Sequence, residues 1–314
     1  MGTDNLAMSL TLVAIFVPAL VSAKPNIIFV LMDDVGHRDL GYTDPTFYTP
    51  TIDRLRSEGI RMSQTYTPPN CGPSRSALFS GGYSFRFGLQ GNGLRTSAGS
   101  SVPLNHTILP QKLKTEGYKT HMIGKWHQGF CNWAMYPTNR GFDSFYGFLL
   151  SGEDHFKHIV KKRHPPYGYD FRLNKLPEFS VVGEYSVHIF SERARTIIRE
   201  HKKEDANNTT PFFILLSHQA IHVPNQVPQK YVDDHCQGVS DLERKIKCGM
   251  LAAVDEGLKN ILDELNTAGF LDNTLIVFTS DNGGGQTSGS SNFPLRGGKG
   301  TLWEGGIRVP SFIY

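Results

Sequence analysis

The stretch Ile27-Ile28-Phe29-Val30-Leu31-Met32-Asp33-Asp34 consists of six apolar residues followed by two carboxylates. A continuous apolar run of this length predicts a strand that is buried on both faces of a sheet. Residues 212–216 and 275–279 form two further runs of the same kind. The three runs therefore predict three central strands of one buried sheet.

Helical patterns lie between these strands, at residues 50–58, 109–116, 185–201 and 250–268, and glycine follows three of the four. Strands that alternate with helices predict a layered α/β fold with a parallel sheet. Segments 83–102 and 151–184 lack a sustained period and are predicted to be long loops that shape a ligand site. The last helix carries an apolar stripe that we expect in the core: Leu251, Val254, Leu258, Ile261, Leu262 and Leu265.

Polar side chains follow each predicted strand. Asp33 and Asp34 follow the first, Ser217 and His218 follow the second, with His222 close behind, and Asp281 and Asn282 follow the third. Ligands in open α/β sheets gather where the carboxyl ends of parallel strands meet. The carboxylate and amide oxygens suit Ca²⁺ or Mg²⁺, whereas zinc prefers nitrogen and sulfur. By itself, the Asp-Asp pair is more often a turn or a helix cap than a metal site, and the residues from Asp281 can form a flexible turn.

The motif Cys71-Gly72-Pro73-Ser74-Arg75 predicts the start of a short helix that ends at Gly81. Free N–H groups and the helix dipole would then face position 71. Together with Arg75, they would activate a thiol and attract sulfate or phosphate. The alternative is an incidental cysteine in a surface loop.

A second basic group follows a predicted strand at residues 118–123. In an extended chain Lys125 and His127 point to one side and Trp126 to the other. The alternative is that a surface lysine and a half-buried histidine flank a tryptophan that anchors the segment. His222 and Lys299 are further candidates, although each is also compatible with an ordinary loop residue.

The chain has 314 residues, of which 39% are hydrophobic and 19% charged, enough for one large domain or two modest ones. Its net charge of +3 does not indicate a nucleic-acid surface. The apolar residues 6–20 and the small residues that follow predict a signal peptide over 1–23, and Pro18 argues against a membrane anchor. Sequons at Asn105, Asn207 and Asn208 are compatible with secretion.

Four cysteines do not form a disulfide framework in a chain of this length. Cys236 and Cys248 can close a short loop. If Cys71 is kept for chemistry, Cys131 has no partner and is either a free thiol or bridged to sequence that is not present.

Taken together, these residues resemble the type I sulfatases, and especially their arylsulfatase B (N-acetylgalactosamine 4-sulfatase) branch, from Pro25 to Tyr314. The resemblance implies an alkaline-phosphatase-like α/β fold with a mostly parallel sheet between helices, over a catalytic domain of residues 24–314. The family's smaller C-terminal domain has no counterpart here, so we expect an incomplete chain. The matching landmarks are residues 26–34, 71–75, 117–127, 140–143, 281–284 and 302–306.

The resemblance also implies roles for the site residues. In this family the cysteine matching Cys71 is oxidised by the formylglycine-generating enzyme, and the hydrated aldehyde is the nucleophile. One Ca²⁺ would be held by Asp33, Asp34, Asp281, Asn282 and the modified Cys71. Arg75 and Lys125 would orient the aldehyde hydrate, and His127 would take a proton during sulfate release. His222 and Lys299 would contact the sulfate, with His218 as the fallback for His222.

The implied function is hydrolysis of a sulfate ester on a glycosaminoglycan-like sugar or an aryl alcohol, in the lysosome or outside the cell, without stable membrane insertion. One alternative is a phosphoester or phosphonate hydrolase of the same superfamily, although such sites often use two zinc ions. The other is a secreted, non-catalytic fragment that binds sulfated glycans.

Overall fold

The computed structural model describes residues 24–91, 94, 99–160, 168–207 and 209–314. The predicted signal peptide and the sequon residue Asn208 lie outside the described residues. Among the described residues, no helix combines the length and apolar character needed to cross a membrane.

The regular elements follow the alternation that the sequence predicts. The strands are β1 (Asn26–Met32), β2 (Ile60–Arg61), β3 (Thr65–Tyr66), β4 (Lys119–Lys125), β5 (Ser144–Phe148), β6 (Ile159–Val160), β7 (Gly168–Tyr169), β8 (Phe171–Leu173), β9 (Leu176–Pro177), β10 (Phe212–Ser217), β11 (Thr274–Ser280), β12 (Arg308–Val309) and β13 (Ser311–Ile313). The helices are α1 (Pro50–Glu58), α2 (Cys71–Ser80), α3 (Leu109–Thr115), α4 (Ser186–Glu204), α5 (Gln229–His235), α6 (Leu242–Ala268) and α7 (Glu304–Ile307).

The main sheet has nine strands in the order β2-β13-β11-β1-β10-β4-β5-β8-β9. The five central strands, from β11 to β5, are parallel. The pairs toward both edges are antiparallel. The predicted layered α/β fold with a mostly parallel sheet is thereby confirmed, and β1 lies in the interior of the sheet, where its carboxyl end is flanked by those of β10 and β11.

Each face of the sheet packs into its own hydrophobic core. Ile28, Val30 and Met32 of β1 enter a large core with residues of α1, α4 and α6. Leu31 points to the opposite face, into an aromatic core that contains Trp126. All six residues of the predicted stripe on α6 are buried, which confirms that this stripe faces the core.

Some boundaries differ from the sequence-based expectation. Helix α6 begins at Leu242 rather than at residue 250, because the Asp241 side chain caps it by accepting a hydrogen bond from Arg244 N. Strand β11 is buried on one face only, since Leu275 on its other face is 36% exposed. The two predicted loops also contain short elements, a 3₁₀ turn at Ser84–Phe87 and the strands β6 to β9.

The cysteines follow the expected pattern. Cys236 and Cys248 form a disulfide that ties the end of α5 to α6. Cys71 is a buried free thiol and Cys131 an exposed one. The predicted short loop is therefore confirmed.

Candidate active site

Three strand ends meet at one edge of the sheet. The N–H of Asp281 donates to Met32 O (3.0 Å), and the N–H of His218 donates to Leu31 O (2.9 Å). The backbone of Asp33 then pairs with Ala220 and Ile221, over 3.1 and 2.8 Å. These bonds hold the segments after β1, β10 and β11 together, which confirms the shared polar edge.

Helix α2 begins at Cys71 and ends at Gly81, which adopts a left-handed conformation with φ of 65°. Arg75 lies one turn after Cys71 and is 1% exposed. Its Nε donates to Asp281 Oδ2 (3.0 Å), and its Nη1 donates to Lys125 O (2.9 Å) and Ser217 Oγ (2.5 Å). Arg75 thus connects α2 to the ends of β4, β10 and β11.

The end of β4 and the two residues after it place Lys125 and His127 on the side of the site and Trp126 in the aromatic core. Lys125 is fully buried, and its Nζ donates to Asp33 Oδ2. His127 lies beside Gly72, where an added Cβ would be 3.5 Å from the imidazole Cε1. The chain is not extended throughout, because His127 has φ of 51°. The predicted separation of side chains is therefore achieved by a bend rather than by a continuous strand.

Lys299 and His222 both approach the carboxylate of Asp34. Lys299 Nζ is 2.7 Å from Asp34 Oδ1, and His222 Nε2 is 3.9 Å from Asp34 Oδ2. His218 is directed elsewhere, since its ring lies 6.2 Å from that of Phe190 in the large core. The geometry therefore favours His222 over His218 as a contact for a ligand.

The donor atoms at this edge suit a hard divalent cation. Ligand atoms of Asp33, Cys71 and Asp281 lie within 4.8 Å of one another, as do those of Asp33, Asp34 and His222. Asp33 Oδ1 and Asn282 Oδ1 are buried and have no hydrogen-bond partner among the described residues. Buried oxygens of this kind are costly unless they are satisfied. The residues present therefore fit a cation such as Ca²⁺.

A family model described as Sulfatase matches residues 25–314. The chain belongs to the sulfatase family. Mouse arylsulfatase J is 40% identical over 294 residues, which cover 93% of this chain and 48% of that protein. Human N-acetylgalactosamine-6-sulfatase is 31% identical, covering 92% of this chain and 56% of its own length. The chain thus spans about half the length of these curated relatives.

Solved structures agree with the family assignment. The crystal structure of Ps i-CgsB has a TM-score of 0.84 and 34% identity, and covers 93% of this chain and 66% of that one. Its complex with k-i-k-neocarrahexaose has a TM-score of 0.83. The fold that the resemblance implied is therefore confirmed, while the placement near arylsulfatase B stays a prediction.

The candidate site contains two carboxyl groups with opposite pKa shifts. Burial by itself raises the pKa of Asp33, but Lys125, His222 and Arg75 hold it far below its usual range. Burial and the adjacent charge of Asp33 instead raise the pKa of Asp281 well above its usual value. Burial, together with Lys125 and Arg75, lowers the pKa of His127 to about 3. The pKa values of these three residues are therefore determined mainly by burial and by the charges of adjacent side chains.

The roles of two residues at the candidate site were not predicted from the sequence. Ser217 receives a hydrogen bond from Arg75 and donates one to Lys125 O (2.8 Å). Lys247 is fully buried in α6, and its Nζ donates to Ile221 O (2.6 Å), next to His222. Glu243, Arg244 and Lys245 precede Lys247 in the chain, so the local sequence carries no signal that could have identified it.

Proposed function

We propose that this chain is the catalytic portion of a sulfuric ester hydrolase that acts on a sulfated sugar or an aryl sulfate. One observation carries the proposal: Cys71 lies at a helix N-terminus, with Asp33 and Asp281 within ligand distance and Arg75 one turn away. Helix N-termini and guanidinium groups bind tetrahedral oxyanions. The bound k-i-k-neocarrahexaose in the Ps i-CgsB complex supports a carbohydrate as the substrate class.

The nucleophile that we propose is a formylglycine hydrate made from Cys71 in the secretory pathway. Cys71 is only 7% exposed and belongs to α2. The formylglycine-generating enzyme would therefore act on the motif at residues 71–75 before the chain folds. The predicted signal peptide would direct the chain to that pathway, and the lysosome or the extracellular space would be its destination.

The proposed reaction has two steps. One hydroxyl of the hydrate attacks sulfur, with Asp281 as the proposed proton acceptor, and the ester oxygen leaves as the alcohol after taking up a proton. The second hydroxyl then loses its proton to His127, the C=O bond forms, and the C–O bond to sulfate breaks. Water adds to the aldehyde to restore the hydrate. A divalent cation, which we propose to be Ca²⁺, would supply electrostatic stabilisation of negative charge and be held by Asp33, Asp34, Asp281 and Asn282.

The tautomer of His127 supports its role as the base. Its Nε2 lies 2.9 Å from Leu94 O, which can only accept, so Nε2 carries the hydrogen. Nδ1 is buried and has no partner among the described residues. A neutral imidazole with a free Nδ1 is the form that can receive a proton.

The remaining cationic residues would bind the sulfate group. Lys299 and His222 approach Asp34 from the more open side, with side chains 23% and 17% exposed. They would contact sulfate oxygens and assist departure of the alcohol. Arg75 and Lys125, which are buried beside Asp33 and Asp281, would orient the hydrate.

The test is to express the full chain in a eukaryotic secretory host. Mass spectrometry of the Cys71 peptide should show an aldehyde in place of the thiol, and the protein should hydrolyse 4-nitrocatechol sulfate. Activity should disappear in Cys71→Ala and after chelation of divalent metal. Cys131→Ala is the matched control, because Cys131 is the exposed free thiol, and it should retain activity. Faster turnover of 4-nitrophenyl phosphate than of the sulfate would instead favour the phosphoesterase alternative.

A further inference from the structure

Lys247 is a buried cation whose hydrogen bond ends on the main chain directly before His222. Lysine is almost never fully buried unless its ammonium group is paired. Lys247 is 0% exposed, and among the described residues it forms no ion pair. Its Nζ instead donates to Ile221 O over 2.6 Å. Burial lowers the pKa of Lys247, whereas the nearby carboxylates of Asp34 and Asp39 oppose that shift. The ammonium group therefore binds a backbone oxygen within the field of the acidic edge.

The part of α6 that carries Lys247 is held against α5. Cys248, the next residue, is disulfide-bonded to Cys236 at the end of α5. An added Cβ on Gly249 would lie 3.0 Å from Val232 Cγ2, so the two helices are in close contact there. Lys247 therefore extends from a well-anchored turn of the helix, which allows its Nζ to fix the position of the group that it binds.

Hydrogen bonds hold the peptide units on both sides of Ile221. The N–H of Ile221 donates to Asp33 O (2.8 Å), and the N–H of Asp33 donates to Ala220 O (3.1 Å). Lys247 binds the carbonyl oxygen of Ile221, and the N–H of His222 donates to Gln219 O (2.8 Å). A carbonyl group and the N–H that follows it lie in one plane. The bond from Lys247 therefore helps to fix the orientation of the peptide that leads into His222.

His155 does not provide a second support of this kind, although its Nε2 lies 3.4 Å from His222 O. Gln219 Oε1 accepts from Glu153 N (3.0 Å), so the amide nitrogen of Gln219 donates to His155 Nε2 (3.1 Å). Burial lowers the pKa of His155 to about 4, and a neutral ring nitrogen that accepts a hydrogen bond cannot also donate one. Among the described residues, Lys247 is thus the side chain that donates to the main chain of residues 220–222.

The ring of His222 turns one free nitrogen toward the site. Its Nδ1 lies 2.7 Å from Val223 O, which can only accept, so Nδ1 carries the hydrogen. Its Nε2 lies 3.9 Å from Asp34 Oδ2. His222 also lines a cavity of about 410 Å³, together with Gly152 and Glu153. A shift of the His222 main chain would therefore move Nε2 relative to both Asp34 and this open space.

We propose that Lys247 is a positioning residue for His222. By holding Ile221 O, it keeps Nε2 of His222 where the sulfate group of the substrate would lie beside Asp34. The inference rests on the proposed sulfatase function and adds to it a buried residue that acts only through another side chain. Such a residue affects turnover strongly, because a displacement of about 1 Å at a reacting or binding group can cost about a hundredfold in rate.

A double-mutant cycle between Lys247→Met and His222→Ala tests the proposal. Lys247→Met keeps most of the side-chain length and removes the donor. Its kcat/KM for 4-nitrocatechol sulfate should fall at least about tenfold when His222 is present, but less than about twofold in the His222→Ala background. The affinity for free sulfate, measured by calorimetry and so independent of turnover, should show the same dependence. Lys259→Met, in an exposed pair on the same helix, is the control and should change neither quantity.

Urea unfolding distinguishes this role from a purely structural one. Lys247→Met leaves the buried Ile221 O without its donor, and that cost does not depend on the imidazole. The unfolding midpoint should therefore fall by the same amount in both backgrounds, while the losses of kcat/KM and of sulfate affinity depend on His222. Equal losses of kcat/KM in both backgrounds, or unchanged turnover in Lys247→Met, would overturn the inference.

Lys247→Gln is the second variant. It keeps an N–H donor on a shorter side chain and should lose less turnover than Lys247→Met. If Lys247→Met does not fold, Lys247→Gln enters the same cycle, and failure of both variants to fold would assign Lys247 to the fold and overturn the inference. Each of these negative results, with normal turnover in the wild type, leaves the proposed function intact. An aldehyde-containing wild-type protein that hydrolyses no sulfate ester would instead overturn the proposed function, and this inference with it.

Discussion

The two sides of the candidate site differ in enclosure. On one side, Cys71, Arg75 and Lys125 are at most 7% exposed and are held by α2, β4 and β10. On the other side, His222 and Lys299 lie in loops with partly exposed side chains. In the proposed function, the enclosed side would position the reacting groups and the open side would admit the substrate. Substitutions on the enclosed side should therefore abolish turnover, whereas substitutions on the open side should only reduce it.

The largest effect is expected for Arg75→Met on the enclosed side. The substitution removes the cationic partner of Asp281 and leaves that carboxyl group buried beside Asp33. Loss of one partner of a buried pair costs about 3–5 kcal/mol of unfolding free energy. Turnover of aryl sulfate should fall at least about a hundredfold. Urea unfolding and steady-state kinetics measure both, and Arg54→Met, in an exposed pair with Glu58, is the control.

His127→Gln should separate the two chemical steps. General base catalysis is worth about 10²–10⁴-fold, so kcat should fall by about that factor. If His127 is the base of the second step, as proposed, the sulfated form of the peptide that contains position 71 should accumulate and be visible by mass spectrometry. Sulfated peptide that is no more abundant than in wild type, despite a reduced kcat, would assign His127 to the first step instead.

Lys299→Met tests the open side. The lysine pairs with Asp34 and would bind sulfate, so its loss should raise KM about tenfold to a hundredfold without preventing folding. Free sulfate should also become a weaker competitive inhibitor. Lys259→Met, in an exposed pair on α6, should change neither quantity. A decrease in kcat as large as that of Arg75→Met would remove the distinction between the two sides.

The smallest effect is expected for the stability of the protein at acidic pH, which depends on histidines outside the candidate site. Burial lowers the pKa of His121 and that of His218, to about 4 and about 3. In the unfolded chain, where the ordinary value is about 6.5, these residues take up protons more readily. Stability should therefore be full above about pH 6.5 and decline as the pH falls toward 4. Urea unfolding at pH 7 and pH 5 measures the decline, and His121→Gln should reduce it.

The sequence anticipated the central sheet and the charged edge because both depend on local signals. Apolar runs such as residues 212–216 have few alternatives to a buried strand. Asp33 follows such a run directly, and Asp281 follows another after a single serine. The bend at His127 was not anticipated, since its positive φ depends on bonds to a neighbouring segment, from His127 N to Leu149 O and from its ring to Leu94 O. The sequence analysis also did not predict the exposed face of β11, because the sequence of one strand does not show which of its faces other elements cover.

By itself, the sequence determined the family, the order of elements and the types of residue at the strand ends, because motif spacing and apolar periodicity are properties of the chain. Only the tertiary structure decided that His222 rather than His218 faces Asp34, that Lys247 supports the backbone of Ile221, and that Glu153 lines a cavity beside the site. These relations join residues that are far apart in the chain. They depend on which side chains the packed core excludes from water, and local sequence does not encode that exclusion.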